Sequence, residues 1–190
     1  MATQTPASEP DNNEVAWASD AQRWLFEAGP QPTLLIGGVN AAKTHGACLK
    51  LLKLAFDYPH SHIAIVRKTF KHLWKTTMQT FYGLLDSAHY EHGARNDNDG
   101  YLRLNNGTEF FFIHLDAPNS ISLLSGLELN FAFIDQAEEI SEQAWEILET
   151  RISRWRYAEV PDKILREHEE RRWRVALHVQ LLVPGDHPGA

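Results

Sequence analysis

Cysteine is almost missing from this chain, and that scarcity excludes two classes at once. One thiol, Cys48, in 190 residues cannot form an internal disulfide or a cysteine-based zinc cluster, and it fits a reducing compartment. Long apolar runs are missing too. None reaches the ~18 residues that a bilayer-spanning helix needs. The first residues lack the basic segment and apolar core of a signal peptide. A soluble protein without membrane contact, in the cytoplasm, is the expectation. Positive charge is also in deficit: 18 Lys and Arg face 25 Asp and Glu, for a formal net charge of -7. That argues against a uniformly basic nucleic-acid coat. Lys68, Lys71 and Lys75 recur at helical spacing, and Arg151, Arg154 and Arg156 cluster later; each set reads as a local basic face or, more simply, as solvated helix surface. The ten histidines include no His-x-x-x-His pair with an adjacent glutamate, so the metalloprotease pattern is absent. Asp186, His187 and His178 lack the ligand spacing of a structural metal site. No internal repeat or long low-complexity segment occurs.

What is present is core-forming material: 43% hydrophobic and 11% aromatic residues, enough for one substantial α/β domain. Residues 1–13 are polar and read as a disordered leader. The spacing of Trp17, Ala21, Trp24 and Leu25 predicts a helix from Val15 to Ala28, ended by Pro30 and Pro32. Short apolar runs at Thr33–Ile36, His62–Val66 and Phe131–Ile134 read as buried parallel strands. Helical periodicity follows each of them, at Lys43–Phe56, Phe70–Leu85 and Ser141–Ser153, with Ser141 as a cap. Between Asp86 and Gly100 the chain reads as a polar loop. Tyr101–Leu104 and Thr108–His114 flank Asn106-Gly107 and read as a β-hairpin. A loop with Pro118 and Ser125-Gly126 follows. Residues 161–172 read as a charged exposed helix, 174–183 as a final strand and 184–190 as a polar end. Alternating strands and helices imply a mainly parallel sheet flanked by helices, with the hairpin inserted. The expected organisation is a domain over residues 14–156, with residues 157–190 as the end of the same domain.

The stretch Gly37-Gly38-Val39-Asn40-Ala41-Ala42-Lys43-Thr44 departs by one residue from a phosphate-binding loop. That pattern is Gly, four residues, Gly-Lys and then Ser or Thr; here Ala42 stands before the lysine. A strand precedes the stretch and a helix follows, an order that aims backbone N–H groups and a helix's positive end at one point. On this reading Lys43 reaches the terminal phosphates of a nucleotide and Thr44 holds Mg²⁺. Helical backbone angles at position 42 would tolerate the extra methyl group. The plainer alternative is a strand-to-helix turn with an exposed lysine. His45 reads as helix surface, and Cys48 as core.

A second segment, "FAFIDQAEEIS", ends an apolar strand on Asp135, the edge at which parallel sheets present ligand-binding groups. Asp135 suits Mg²⁺. A carboxylate that polarises water is expected next; Gln136 stands there, and an amide can orient water but cannot take its proton. Glu138 and Glu139 are the nearest substitutes. Trp145 and Trp155 read as packing for the helix that follows.

Four segments together, "GGVNAAKT", "IAIVRKTFKHLWKTT", "YLRLNNGTEFFFIHLD" and "SGLELNFAFIDQAEEISEQAWEILETRI", resemble in order the N-terminal ATPase domain of phage terminase large subunits, over about Trp17 to Arg156. The resemblance implies a RecA-like P-loop NTPase of the ASCE type. It implies ATP and Mg²⁺ as ligands, and double-stranded DNA, a portal protein, a small terminase subunit and a homo-oligomeric ring, usually a pentamer, as partners. It implies that Gln22 lies near the adenine. Arg67 is a candidate for the arginine that completes the site. Four departures accompany it: Val39 where an arginine is common, Gln136 where glutamate is usual, a poor match of "VQLLVPGDHPGA" to the coupling motif, and no room for a nuclease domain. The alternatives are an impaired nucleotide-binding or assembly module, or another RecA-like ATPase fragment.

Overall fold

The computed structural model describes residues 17–28, 33–37, 42–88, 90, 92–117, 119–152 and 175–181. The leader at 1–13, the loop residues Gly38 to Ala41, the charged segment at 161–172 and the end at 184–190 lie outside the described residues. In chain order the elements are α1 (Asp20–Glu27), β1 (Thr33–Gly37), α2 (Lys43–Asp57), β2 (His62–Arg67), α3 (Phe70–His72), a π-helical turn (Leu73–Met78), α4 (Gln79–Ser87), β3 (His92–Asn96), β4 (Tyr101–Leu104) and β5 (Glu109–His114). Then come α5 (Ser120–Ser125), β6 (Phe131–Asp135), a 3₁₀ turn (Ala137–Glu139), α6 (Glu142–Arg151) and β7 (Val175–Leu181).

The seven strands form one sheet in the order β1-β7-β6-β2-β5-β4-β3. The first five run parallel, and β4 and β3 are antiparallel. Side chains of a strand alternate between faces, and here both faces are buried. Ile63 and Ile65 of β2 and Phe131 and Phe133 of β6 pack on one side with α2, the π turn and α4. Ala64, Val66, Ala132 and Ile134 pack on the other with α5 and α6. This is why the central strands are continuously apolar in sequence. The first face carries the bulk: Phe81 of α4 meets Phe110 at a ring-centroid distance of 4.7 Å and Phe112 at 5.4 Å. The second face of β2 and β6 carries alanine, valine and isoleucine and no aromatic ring.

Local chemistry sets the element ends. Ser19 caps α1 and Ser141 caps α6, each hydroxyl accepting from a backbone amide, Gln22 N at 3.2 Å and Ala144 N at 3.3 Å; such caps contribute about 1 kcal/mol each. In the hairpin, Gly107 takes φ 83° and packs against His60 so closely that a Cβ would come within 2.4 Å of the ring.

Three expectations need correction. The stretch from Asp86 to Gly100 is not only a loop: β3 forms there, an exposed strand that pairs with β4 through an irregular register. The loop before β6 contains α5. The helix after β2 is three consecutive pieces with a π-helical centre. The first two come from long-range pairing and packing, which polar local composition does not reveal. The π turn lies where Thr76 and Thr77 meet the sheet, as described next.

Candidate functional site

The ends of three parallel strands converge because of register. Val179 of β7 lies level with Leu35 of β1 on one side and with Asp135 of β6 on the other. Val66 of β2 lies level with Ile134. Gly37, the last residue of β1, the carboxylate of Asp135 and the guanidinium of Arg67 therefore share one edge. One strand, β7, separates the loop strand from the carboxylate strand. It is the final strand expected from the sequence, although its place in the sheet was not legible there.

Residue 42 departs from expectation. Ala42 has φ 51° and ψ 27°, the left-handed region, not the right-handed helical angles that would tolerate its methyl group. A left-handed L-residue costs roughly 1–2 kcal/mol. This explains on physical grounds why glycine suits this point of such a loop: the chain reverses its twist here before α2 begins. Lys43, the first residue of α2, is buried, not the exposed lysine of the plainer reading. Helix amides at this end present partial positive charge toward the loop.

Thr44 and Asp135 meet: Thr44 Oγ1 donates to Asp135 Oδ1 at 3.2 Å. Asp135 is only 3% exposed, and its other oxygen is fully engaged. Thr77 Oγ1 donates to Oδ2 at 2.6 Å, and Arg67 Nη1 donates to it at 3.0 Å. Arg67 also donates to the hydroxyls of Thr76 and Thr77 and to the side-chain oxygen of Gln136. Its Nε is buried without a partner among the described residues. A buried carboxylate is costly unless charge and hydrogen bonds compensate it; here one guanidinium and two hydroxyls do so.

Gln136 also adopts a left-handed conformation, φ 59° and ψ 62°. This conformation accompanies the contact of its amide oxygen with Arg67. Glu138 and Glu139 follow on the 3₁₀ turn, the first exposed and the second half-buried. The hard-oxygen pair of Thr44 and Asp135 is the donor set that suits Mg²⁺, and the two atoms already lie side by side.

Gln22 is buried over the first turns of α2. Its amide oxygen accepts from Ala18 N at 2.8 Å, and its nitrogen lies 2.7 Å from His45 Nδ1. A Cβ on Gly46 would come within 3.0 Å of Gln22, so that glycine sets the spacing of α1 on α2. The expected helix-surface residue His45 is thus the hydrogen-bond partner of Gln22. Cys48 is fully buried, and burial and the nearby Asp135 charge raise its pKa. Sequence reasoning missed Thr77. A signal existed: a hydroxyl on the inward stripe of Leu73, Met78 and Phe81. Trp145 packs against α6's core cluster, and Trp155 lies outside the described residues.

The described residues hold no cluster of three or more His, Cys, Asp or Glu able to bind a metal. Among them, no helix is long and apolar enough to cross a membrane.

Comparison with known proteins places this geometry. No curated protein matches the chain. Among solved structures, the large terminase from a thermophilic bacteriophage in complex with ADP aligns with a TM-score of 0.62 and 18% identity, over 86% of this chain and 38% of that one. The ATPase domain of the large terminase of Thermus phage P74-26 aligns with a TM-score of 0.55 and 16% identity, over 85% and 64%. The bacteriophage Phi-29 viral genome packaging motor assembly aligns with a TM-score of 0.52 and 14% identity, over 90% and 49%. The chain thus spans less than half the length of the full terminase, and at these identities the likeness is one of fold: a RecA-like P-loop architecture. A sequence-family model described as phage terminase large subunit covers residues 31–166. With most of its length inside that model, from before β1 to beyond α6, the chain belongs to the phage terminase large subunit family.

Proposed function

We propose that this chain is the ATP-hydrolysing motor domain of a terminase, coupling nucleotide turnover to the packaging of double-stranded viral DNA. The contact between Thr44 and Asp135 supports this reading most directly. It brings the end of the phosphate loop and the acidic strand together across β7. Gly37, Gly38, Val39, Asn40, Ala41, Ala42 and Lys43 cradle the phosphates through backbone amides and the lysine ammonium. Thr44 and Asp135 would hold Mg²⁺, which would supply positive charge beside the phosphates. Glu138 or Glu139 orients the attacking water in place of the usual glutamate, and Gln22 lies toward the base. Arg67 holds Asp135 and Gln136 in place. The assembled machine is a ring, a pentamer, on a portal protein, with a small subunit that recognises the DNA, in the host cytoplasm.

Lys43→Ala is expected to lower phosphate release at saturating Mg-ATP by about a hundredfold or more, since a buried cation that stabilises transition-state charge is removed. Unchanged turnover in the purified variant would falsify the assignment.

A specific observation favours a second reading, a nucleotide-binding module that turns over poorly. Gln136 is tied to Arg67 and brings no carboxylate to the water. Mg-ATP binding by titration calorimetry without phosphate release supports it. Gln136→Glu is then expected to raise hydrolysis, and no gain counts against Gln136 as the cause.

A further inference from the structure

In a chain with 25 acidic residues, no aspartate or glutamate occurs between Asp57 and Asp86. That acid-free stretch contains β2, α3, the π turn and most of α4. It carries Arg67, Lys68, Lys71 and Lys75. Arg67 points inward to Asp135. The three lysines are all exposed, and none is paired with a carboxylate among the described residues. The inward side of the same segment is Leu73, Thr77 and Met78, all buried. Phe70 and Trp74 stack beside the lysines at a centroid distance of 6.2 Å. Asp116, beyond the segment, accepts from Phe70 N at 3.3 Å and contacts His114.

We propose that Lys68, Lys71 and Lys75 form a face that grips the phosphate backbone of double-stranded DNA. On its inner side, Thr77 and Arg67 tie that face to Asp135. The inference rests on the motor reading above and gives it a place of contact. Charge complementarity is the argument for the occupant: three exposed ammonium groups without a carboxylate partner among the described residues, two on the helical segment and one just before it, in an otherwise acidic protein. Lys71 and Lys75, four residues apart within the helical pieces, are separated by roughly 6 Å along the axis, about two nucleotide steps along one strand, and Lys68 lies just before them. Whatever displaces the hydroxyl of Thr77 or the guanidinium of Arg67 from Asp135 acts directly on the segment that presents the lysines. A ligand that binds Asp135 and DNA on the lysines would then alter each other's affinity by the same factor.

The test is the salt dependence of binding to a short fluorescent duplex, by anisotropy, with the full chain. Each phosphate contact contributes about 0.9 to the slope of log affinity against log salt. Replacing the three lysines together with alanine is expected to reduce that slope by about 2.7 and to leave the unfolding temperature by circular dichroism unchanged. Lys53→Ala, which removes an exposed lysine paired with Asp57, is expected to leave the slope unchanged. A wild-type slope in the triple variant overturns the face while leaving the motor reading intact. Absence of duplex binding by the wild type at low salt overturns both. For the coupling, Mg-ATP-γ-S is expected to shift wild-type duplex affinity about tenfold. Thr77→Val is expected to remove that shift and Thr77→Ser to retain it. No shift in the wild type, or a shift that survives Thr77→Val, overturns the link to Asp135.

Discussion

The aromatic packing beneath β5 and β4 and the polar network at the carboxyl ends of β2 and β6 share one sheet, yet they are built on opposite terms. In the first, Phe81, Phe110, Phe112, Leu102 and Leu104 are buried against one another. Each local preference agrees with the fold, and burial is rewarded by roughly 25 cal/mol per Å² of apolar surface. In the second, a carboxylate and a guanidinium are held out of water, and two non-glycine residues, Ala42 and Gln136, stand in left-handed backbone. Stability is generated in one region and spent in the other. A third left-handed residue, His60, lies against the hairpin turn; what singles out the other end is that strained backbone and a buried ion pair occur there together.

The comparison can be broken most forcefully at Phe81. Phe81→Ala is expected to destabilise the fold by about 4 kcal/mol, read from urea unfolding. Mg-nucleotide affinity of the folded fraction should stay close to wild type. A parallel loss of affinity would show that the two regions are not separate.

Ala42→Gly tests the other region with the opposite sign. Relief of the left-handed alanine is expected to raise stability by about 1 kcal/mol, less the flexibility that glycine adds to the unfolded chain. A loss of stability in thermal unfolding would mean that the conformation carries no strain.

The pH-dependent contrast concerns Lys50, which joins α1 to α2. It is buried, and its ammonium donates to the carbonyls of Phe26, at 3.2 Å, and Ala28, at the end of α1. Burial, and then the charge of Lys53, lowers its pKa from 10.5 to about 8. Between those values the unfolded chain keeps the proton that the folded chain releases. The contribution to stability is therefore complete above 10.5 and is lost as pH falls through about 8. Wild type is expected to gain stability relative to Lys50→Met from neutral pH to about pH 10. A difference that stays constant across that range would assign Lys50 no such linkage.

Much of the architecture was open to reading before any coordinates. The apolar runs around Ile65 and Phe133 could be buried on both faces only inside a helix-covered parallel sheet. Asn106-Gly107 marked a hairpin because glycine alone relieves the backbone at φ 83°. Of the residues that meet at the end of the sheet, Thr44 and Asp135 announced themselves by residue type and by the strand ends they follow. Strand β3 did not, because exposed polar residues enter a sheet through a neighbour's unpaired edge and not through their own pattern.

Residue type and periodicity, both local properties, were enough to settle the buried parallel strands, the helices α2 and α6 that cover them and the turn at Asn106-Gly107. They could not settle the place of β7 between β1 and β6, the left-handed turn at Ala42, or the convergence of Thr44, Arg67 and Thr77 on one carboxylate. Those depend on register between distant segments and on the cost of leaving a buried charge uncompensated, and neither exists until the chain has folded back on itself.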